Sequence, residues 1–415
     1  MQKILLLIAS LFYFNFILAE NEIKSWQGIH ETPLSRLEQQ FAEPPVEFAN
    51  HVIWGWEGKM DKKTICNDLD SIKKKGFRAV IFEAGYKLPF KYLSEEWFKA
   101  IRTGVVEAKK RDMKVWIIDE GKYPSGFAGG KFSQERPDLR MQALVIGDTI
   151  QIKRGEVMTN HKIAQEIISA VAVSTSGAPN RTVAINNGEI SFNAGLDDWK
   201  ILLVKSDFRT AVTRAVNNPN GGKDATNSLC DYLNPVAVQQ FIDWTHEQYK
   251  KYLGKELGTT VLGFRGDEPD YAHLPWTPSI VQTFKDTKGY DPTPYLASFF
   301  TASPTIQEQR VKADYWDVWS SLFATHFFKL QADWCAANGV AHITHLNKEH
   351  EMPACVKAEG DYFRALSKVQ IPGVDAIWNQ IWPSTLNDFP KLASSVAHVY
   401  GKPRAFSESF AAYHI

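Results

Sequence analysis

Several apolar runs of the sequence end in carboxylate side chains, and two of these carboxylates form the most informative pair. Glu268 follows the run TTVLGFRGD, and Glu408 lies within PRAFSESF. Two carboxyl groups that flank a glycosidic bond can cleave it, because one protonates the leaving oxygen while the other activates water or attacks the anomeric carbon. We predict Glu268 as the general acid and Glu408 as the base or nucleophile. We also expect the neighbouring Asp267 to raise the pKa of Glu268 by like-charge repulsion and to contact substrate.

A glycine-rich loop adds a second group of polar side chains. The segment IIDEGKYPSGFAGG places Asp119 and Glu120 directly after an apolar run. Their carboxylates could contact sugar hydroxyls or help to bind a hard cation through oxygen. The alternative is that the loop is a flexible connector, and the sequence favours neither interpretation.

The segment HITHLNKEHEMP is dense in histidines and acids. In a strand, His345 and Asn347 share one face, so we predict that they hydrogen-bond substrate together. A metal-dependent hydrolase that uses His345 and His350 is an alternative, although the HExxH pattern is absent. The metal ligands, if any, cannot be assigned from the sequence.

A further carboxylate and several ring side chains complete the candidate site. Glu359, in KAEGDYF, is an alternative base, although an acid near a helix start often only caps the helix. On the strand-end loops, we predict that Trp56, Trp378 and Asn379 contact sugar. A tryptophan is more often a packing residue than a ligand platform.

Apolar runs that alternate with helical patterns must position these groups. The runs, in chain order, are HVIWGW, RAVIFEAG, KVWIIDEG, TTVLGFRGDEP, VAHITHLNKE, PGVDAIWNQIW and PRAFSESF. Strands separated by helices indicate a parallel sheet, and seven such units indicate an α/β (β/α)₈ TIM barrel that is truncated before its last strand. In such a barrel the carboxyl ends of the strands form the active site, and the polar residues above occupy those ends.

The helical pattern is interrupted once, by consecutive β-rich runs divided by Asn, Gly and Asp turns. We interpret this stretch as an inserted antiparallel β subdomain. The predicted division is a signal peptide at 1–19, the first part of the barrel at 20–138, the β insert at 139–230 and the second, incomplete part of the barrel at 231–415.

Composition and the N-terminus limit the possible partners. The 47 basic and 47 acidic residues balance, and no basic patch indicates a nucleic-acid partner. The first 19 residues resemble a secretory signal peptide, which predicts a periplasmic or secreted protein. No later apolar stretch is long enough to span a membrane, so we expect no membrane span in the mature chain.

Several motifs resemble the α-L-rhamnosidase-type glycosidases of glycoside hydrolase family 106 and close relatives from Bacteroidetes. They are DEGKYPSGFAGG, FRGDEPD, VQTFKDTKGYDP, AEGDYF, GVDAIWNQIWP and KLASSVAHVYGKPRAFSESF. The resemblance implies a (β/α)₈ barrel with appended β domains that cleaves terminal α-L-rhamnose by inversion, with two glutamates and a calcium ion. On this resemblance Glu268 matches the acid, and either Glu408 or Glu359 matches the base.

The segments AEGDYF and PGVDAIWNQ depart from the wording typical of these rhamnosidases, so the sugar could instead be a galacturonide or fucose. The linkage and stereochemistry also stay open. A carbohydrate-binding relative without catalytic activity is the alternative from a different functional class. Loss of hydrolysis in a Glu268 variant would separate an enzyme from such a binding protein.

Overall fold

The computed structural model describes residues 33–211, 213–214, 223–224, 227–271, 274–377 and 387–409. The predicted signal peptide and two predicted sugar contacts, Trp378 and Asn379, lie outside these residues. No helix in the described part of the chain is both long and apolar enough to cross a bilayer.

The first part of the described chain alternates helices and strands. The elements are α1 (Leu34–Ala42), β1 (His51–Trp56), α2 (Lys62–Lys74), β2 (Ala79–Ala84), α3 (Glu95–Lys110), β3 (Lys114–Ile118) and α4 (Lys131–Glu135). Strand β2 pairs in parallel with β1 and with β3. Helices α2 and α3 begin at Asp61 and Ser94, whose side chains accept hydrogen bonds from the backbone N–H groups of Thr64 and Trp97.

Antiparallel strands follow where the sequence predicted a β insert. They are β4 (Gln142–Ile152), β5 (Val157–Lys162), β6 (Ile167–Ser174), β7 (Arg181–Thr182), β8 (Ile185–Asn186), β9 (Glu189–Asn193), β10 (Trp199–Phe208), β11 (Thr213–Arg214) and β12 (Lys223–Asp224). Strand β10 is central, since β4 and β6 flank it in antiparallel pairing.

The second half returns to alternating helices and strands. Its elements are α5 (Pro235–Trp244), α6 (His246–Leu253), β13 (Val261–Asp267), β14 (Pro275–Trp276), α7 (Ile280–Lys288), α8 (Ile306–Leu322), a π-helical turn (Phe323–Phe328), α9 (Lys329–Ala337), β15 (Ala341–His345), α10 (Met352–Glu359), α11 (Tyr362–Leu366), β16 (Ile371–Ala376), α12 (Lys391–Val399) and β17 (Phe406–Ser409). Helices α5 and α6 are separated at Thr245, which has a non-helical ψ of −84°.

All seven predicted strands belong to one parallel sheet, in the order β1-β2-β3-β13-β15-β16-β17. The sheet is curled, because side chains from six of its strands meet in one apolar cluster: Ile81, Trp116, Ile118, Leu262, Ala341, Ile343, Ile371 and Phe406. The two sheet edges also approach each other, since the guanidinium of Arg404 lies 3.8 Å from the ring of Phe48. The mixed α/β class is confirmed. Among the described residues this sheet has no eighth strand, so a closed TIM barrel stays a prediction.

The antiparallel sheet does not form a core entirely of its own. Strand β14, which lies beyond the predicted end of the insert, pairs with β4. Leu144, Val171 and Leu202 of this sheet also share a hydrophobic cluster with residues of the helices, such as Phe241 and Tyr315. The β-rich character of the segment is confirmed, whereas the predicted domain boundaries stay predictions.

Gly263 lets β13 approach β15 closely, and this approach generates a testable prediction. A Cβ at this position would lie 1.9 Å from the carbonyl oxygen of Ala341 and 2.6 Å from the Trp116 ring. We expect Gly263→Ala to lower the free energy of unfolding by about 3 kcal/mol, measured by urea denaturation. Gly55→Ala is the matched control in the same sheet, because its Cβ would meet only Glu83, at 3.4 Å. Equal losses in both variants would contradict this role of Gly263.

Candidate functional site

The carboxyl ends of four neighbouring strands bring charged side chains together. Side chains alternate along a strand, so residues two positions apart share a face. Ile343 belongs to the apolar interior cluster, and His345 follows it on the same face of β15. Phe406 and Glu408 repeat this arrangement on β17. The apolar interior of the curled sheet is therefore followed by a polar layer at the carboxyl ends of its strands.

Arg265 of β13 lies at the centre of this polar layer. Its side chain is only 2% exposed and donates a hydrogen bond to the Glu408 carboxylate. The same terminal nitrogen lies 3.5 Å from Oδ1 of Asp267 and 3.4 Å from Nδ1 of His345. A buried guanidinium needs negative partners, and these carboxylates supply them. Arg265 was not among the site residues predicted from the sequence, although an arginine within an apolar strand is unusual enough to have indicated it.

His345 joins the predicted acid to this cluster. Its Nε2 lies 3.6 Å from Oε1 of Glu268 and 3.6 Å from Oδ1 of Asp267. Burial alone would lower the pKa of His345, but Glu268, Glu349 and Asp267 together outweigh burial and raise the pKa to about 10. The imidazole is therefore protonated at neutral pH. Since His345 is 1% exposed, its predicted role as a direct sugar ligand is wrong in this structure, and it contacts carboxylates instead.

The pKa of Glu268 shifts in the opposite direction from our expectation. Burial would raise it, but the interaction with His345, followed by those with the Tyr123 hydroxyl and the charge of Arg265, lowers it. The expectation that Asp267 raises the pKa of Glu268 is therefore wrong. Asp267 itself has the raised pKa, about 6, mainly because it is buried.

The backbone of Glu268 is strained. Its φ of 38° lies in the left-handed region, which a non-glycine residue rarely adopts. Such conformations cost about 1–3 kcal/mol and persist where the surrounding structure imposes them, often at functional sites. The strained residue is therefore the one that the sequence predicted as the general acid.

Three buried acids near this cluster hold protons more tightly than usual. Burial raises the pKa of Asp375 to about 7 and that of Glu349 to about 8. Burial also raises the pKa of Glu359 well above its usual range. Near neutral pH, the site therefore contains both ionised and protonated carboxyl groups, which is the combination that acid–base catalysis requires.

The glycine-rich loop that follows β3 contains two buried carboxyl side chains, Asp119 and Glu120. The carboxylate of Glu120 accepts hydrogen bonds from the backbone N–H groups of Gly121, Ala128 and Gly129. Glu120 and Asp119 are 1% and 0% exposed, so their predicted contacts with sugar hydroxyls are wrong in this structure. Both residues are instead structural parts of the loop.

Asp119 acts on β13 through Ser125. The Ser125 hydroxyl donates to Oδ1 of Asp119 over 2.6 Å and accepts from the backbone N–H of Asp267 over 2.6 Å. In return, the Ser125 N–H donates to the carbonyl of Asp267 over 2.9 Å. These bonds fix the backbone just before the strained residue Glu268.

Asn347 occupies the other side of the site. Its side-chain amide donates to the Tyr123 hydroxyl and to Oδ2 of Asp270, both over 3.3 Å. Its backbone N–H donates to Glu359, which is 1% exposed. Asn347 is partly exposed, so its role in substrate binding stays a prediction. The burial and raised pKa of Glu359 make this residue poorly suited to act as a base.

Trp56 does not reach the site. Its indole is 0% exposed and packs against Phe82 and Trp97, with ring centroids 4.9 and 5.6 Å away. The prediction that Trp56 stacks on sugar is wrong, because the side chain faces the helices rather than the interior of the sheet.

The calcium ion implied by the family resemblance stays a prediction, and the potential ligands described at the strand ends are few. Two groups of potential ligand atoms lie within 4.8 Å of one another, namely Asp267, His345 and Glu408, and Glu268, His345 and Asp375. Calcium requires six to eight oxygen ligands. Each group contains one imidazole and two carboxylates, so these side chains alone do not complete such a set. The alternative of a metal-dependent hydrolase site also stays a prediction.

Comparison with known proteins gives a consistent result. A family model described as alpha-L-rhamnosidase matches residues 160–414. A protein of Formosa agariphila named "Putative beta-glucuronidase" is 22% identical over 91% of this chain and 35% of its own length. The solved rhamnosidase of Novosphingobium sp. PP1Y has the same fold, with a TM-score of 0.66 at 15% identity over 92% of this chain and 53% of that protein. The chain thus spans about a third and a half, respectively, of these relatives.

The pairing of His345 with Glu268 generates a prediction about protonation. We expect Glu268→Gln to lower the pKa of His345 from about 10, because burial then acts without the largest interaction that opposes it. Histidine side-chain NMR as a function of pH measures this shift, with His345→Asn to assign the signal. The matched control is Glu351→Gln, an exposed position six residues after His345. A His345 pKa that stays near 10 in Glu268→Gln would refute the pairing.

The ion pairs of Arg265 generate a prediction about stability. We expect Arg265→Met to cost about 3–5 kcal/mol in the free energy of unfolding at pH 7.5, because buried carboxylates lose their partner. The loss should be smaller at pH 5, below the pKa of about 6 of Asp267, since this carboxyl then carries a proton. Urea denaturation at both pH values measures the effect. Arg364→Met, which breaks a more exposed pair with Asp317, should cost at most about 1 kcal/mol at either pH.

Proposed function

The chain belongs to the alpha-L-rhamnosidase family, glycoside hydrolase family 106, and from this premise we propose that it hydrolyses terminal α-L-rhamnose-like residues of glycans. One observation supports the proposal above all others. At the carboxyl ends of parallel strands, Glu408 contacts Arg265 and Glu268 contacts His345. We further propose that the seven-stranded sheet is part of a (β/α)₈ barrel and that the protein is exported.

Glu268 is the proposed general acid, and it acts together with His345. An acid must carry a proton to the leaving oxygen, yet the pKa of Glu268 is lowered in the structure. The proton is held instead on His345, whose Nε2 lies 3.6 Å from Glu268. In the proposed mechanism, the proton passes from the imidazole to the carboxylate and then to the glycosidic oxygen as that bond breaks.

Glu408 is the proposed base or nucleophile. Arg265 pairs with its carboxylate, the charged form that either role requires. The pair also fixes the direction of the side chain, and Glu408 retains 18% exposure, so that it can face a substrate. Glu359 is the weaker alternative, since its buried carboxyl accepts a backbone hydrogen bond and its pKa is well above the usual range.

The test is hydrolysis of a panel of aryl glycosides, with α-L-rhamnoside first, and with β-glucuronide included because of the name of the Formosa relative. The panel is run with and without added calcium. We expect turnover of the rhamnoside and a loss of about 10²–10⁴-fold in Glu268→Gln. This loss should be smaller for a dinitrophenyl leaving group, which departs without protonation.

Glu408→Gln separates the two roles, because its loss should be similar for good and poor leaving groups. Glu95→Gln, an exposed position on α3, is the control and should retain activity. A folded protein that binds sugars but hydrolyses no member of the panel would instead be a carbohydrate-binding relative. Equal leaving-group dependence in Glu268→Gln and Glu408→Gln would contradict the assigned roles.

A further inference from the structure

A cavity of about 480 Å³ borders the candidate site and has no assigned role. It lies between α8 and α10, and its walls include Asp270, Leu274, Trp316, Lys348 and Lys357. A second cavity of about 490 Å³ shares Trp316 as a wall and continues past Met352 and Val356. Together they form a groove along α10 with Trp316 between its two parts.

The first cavity is adjacent to the proposed catalytic residues. Asp270 follows Glu268 by two residues, so their Cα atoms are at most about 7 Å apart. Lys348 follows His345 by three residues, which limits their Cα separation to about 11 Å. Asn347 connects the two walls, because its amide donates to Asp270 over 3.3 Å. A sugar joined to the terminal sugar through the bond that is cleaved would therefore reach this cavity.

The shape and surface of the cavity suit a sugar ring. Trp316 is partly exposed, and Trp319 and Phe299 hold its indole, with ring centroids 5.0 and 6.4 Å away. Leu274 and Ala358 add apolar surface to the walls. An indole fixed in this way offers a flat apolar platform with a polar edge.

Two lysines against one acid, Asp270, give the walls of the cavity a net positive charge. Lys348 and Lys357 are exposed, and neither forms an ion pair with another described residue. Other charged side chains nearby are paired, as Arg364 is with Asp317 and Lys288 is with Asp314. Lys348 also has a φ of 63°, a left-handed conformation that the surrounding structure must hold in place. Unpaired ammonium groups beside an aromatic platform are complementary to an anionic ligand.

We propose that this cavity, the Trp316 pocket, binds an anionic sugar that is linked to the terminal sugar through the bond that is cleaved. The anion is a carboxylate or a sulfate, and both would pair with Lys348 and Lys357. The site recognises the remainder of the glycan rather than the terminal sugar. It rests on the proposed glycosidase function for its place in the reaction, but not for its ability to bind.

The test is a titration of the wild-type chain with three methyl glycosides that differ at C6: galacturonate, galactose 6-sulfate and galactose, followed by the corresponding gluco series. Binding is measured by calorimetry at low salt. We expect the anionic sugars to bind about tenfold more tightly than the neutral one, which is the effect of two solvent-accessible ion pairs. The carboxylate and sulfate arms identify which anion is preferred. Equal binding of anionic and neutral sugars in both series would overturn the proposal.

Variants connect this preference to the pocket. Lys348→Gln with Lys357→Gln should remove the preference for anionic sugars, while binding of neutral galactose stays unchanged. Trp316→Leu should weaken binding of all three glycosides together. Lys200→Gln, at an exposed position on β10, is the control and should leave the preference intact. A preference that survives in the double lysine variant would place the anion elsewhere and overturn the proposal.

The outcomes separate this inference from the proposed function. Hydrolysis of aryl α-L-rhamnosides with no selective binding of anionic sugars would refute the pocket alone. Selective binding without hydrolysis of any aryl glycoside would refute the proposed function and leave the pocket supported. Neither result depends on the other, because the titration measures binding whereas the panel measures hydrolysis, and the double lysine variant assigns the binding to the pocket.

Discussion

The polar end of the curled sheet depends on one buried cation, the guanidinium of Arg265. It contacts the carboxylate of Glu408 and lies within 3.5 Å of both Asp267 and His345. Without a positive charge at this point, several acids could not be buried together, because each desolvated charge repels the next. The arginine therefore permits an acid-rich cluster in the interior, and it holds Glu408 from β17 against residues of β13 and β15.

The same cluster distributes protons unequally among chemically similar side chains. Burial raises the pKa of Asp267, Asp375 and Glu349, whereas contact with protonated His345 lowers that of Glu268. Differences of this kind arise from position relative to solvent and charge, not from residue type. A site with both protonated and ionised carboxyls at one pH can supply and accept protons in a single reaction, which is what glycoside hydrolysis requires.

The sequence was sufficient for the elements and insufficient for the contacts between them. The seven parallel strands were predictable, since their apolar runs are short, bounded by turns and separated by helical patterns. Glu268 and Glu408 were predictable as strand-end carboxylates. The prediction that Trp56 contacts sugar failed because a strand-end tryptophan can face either side of the sheet. The alternation of side chains along the strand directs this one towards the helices. The prediction that Glu120 contacts sugar failed because its hydrogen-bond partners, Ala128 and Gly129, follow a loop whose path the sequence does not reveal.

By itself, the sequence determined the α/β class, the order of the strands and the presence of carboxylates at their carboxyl ends, because local periodicity and turn residues encode these features. Only the tertiary structure decided that Arg265 joins the site, that His345 serves Glu268 and that Glu120 serves the loop backbone. It also decided the direction of each pKa shift. These properties depend on burial and on contacts between residues far apart in the sequence, such as Arg265 and Glu408, which are 143 positions apart, and no local pattern specifies them.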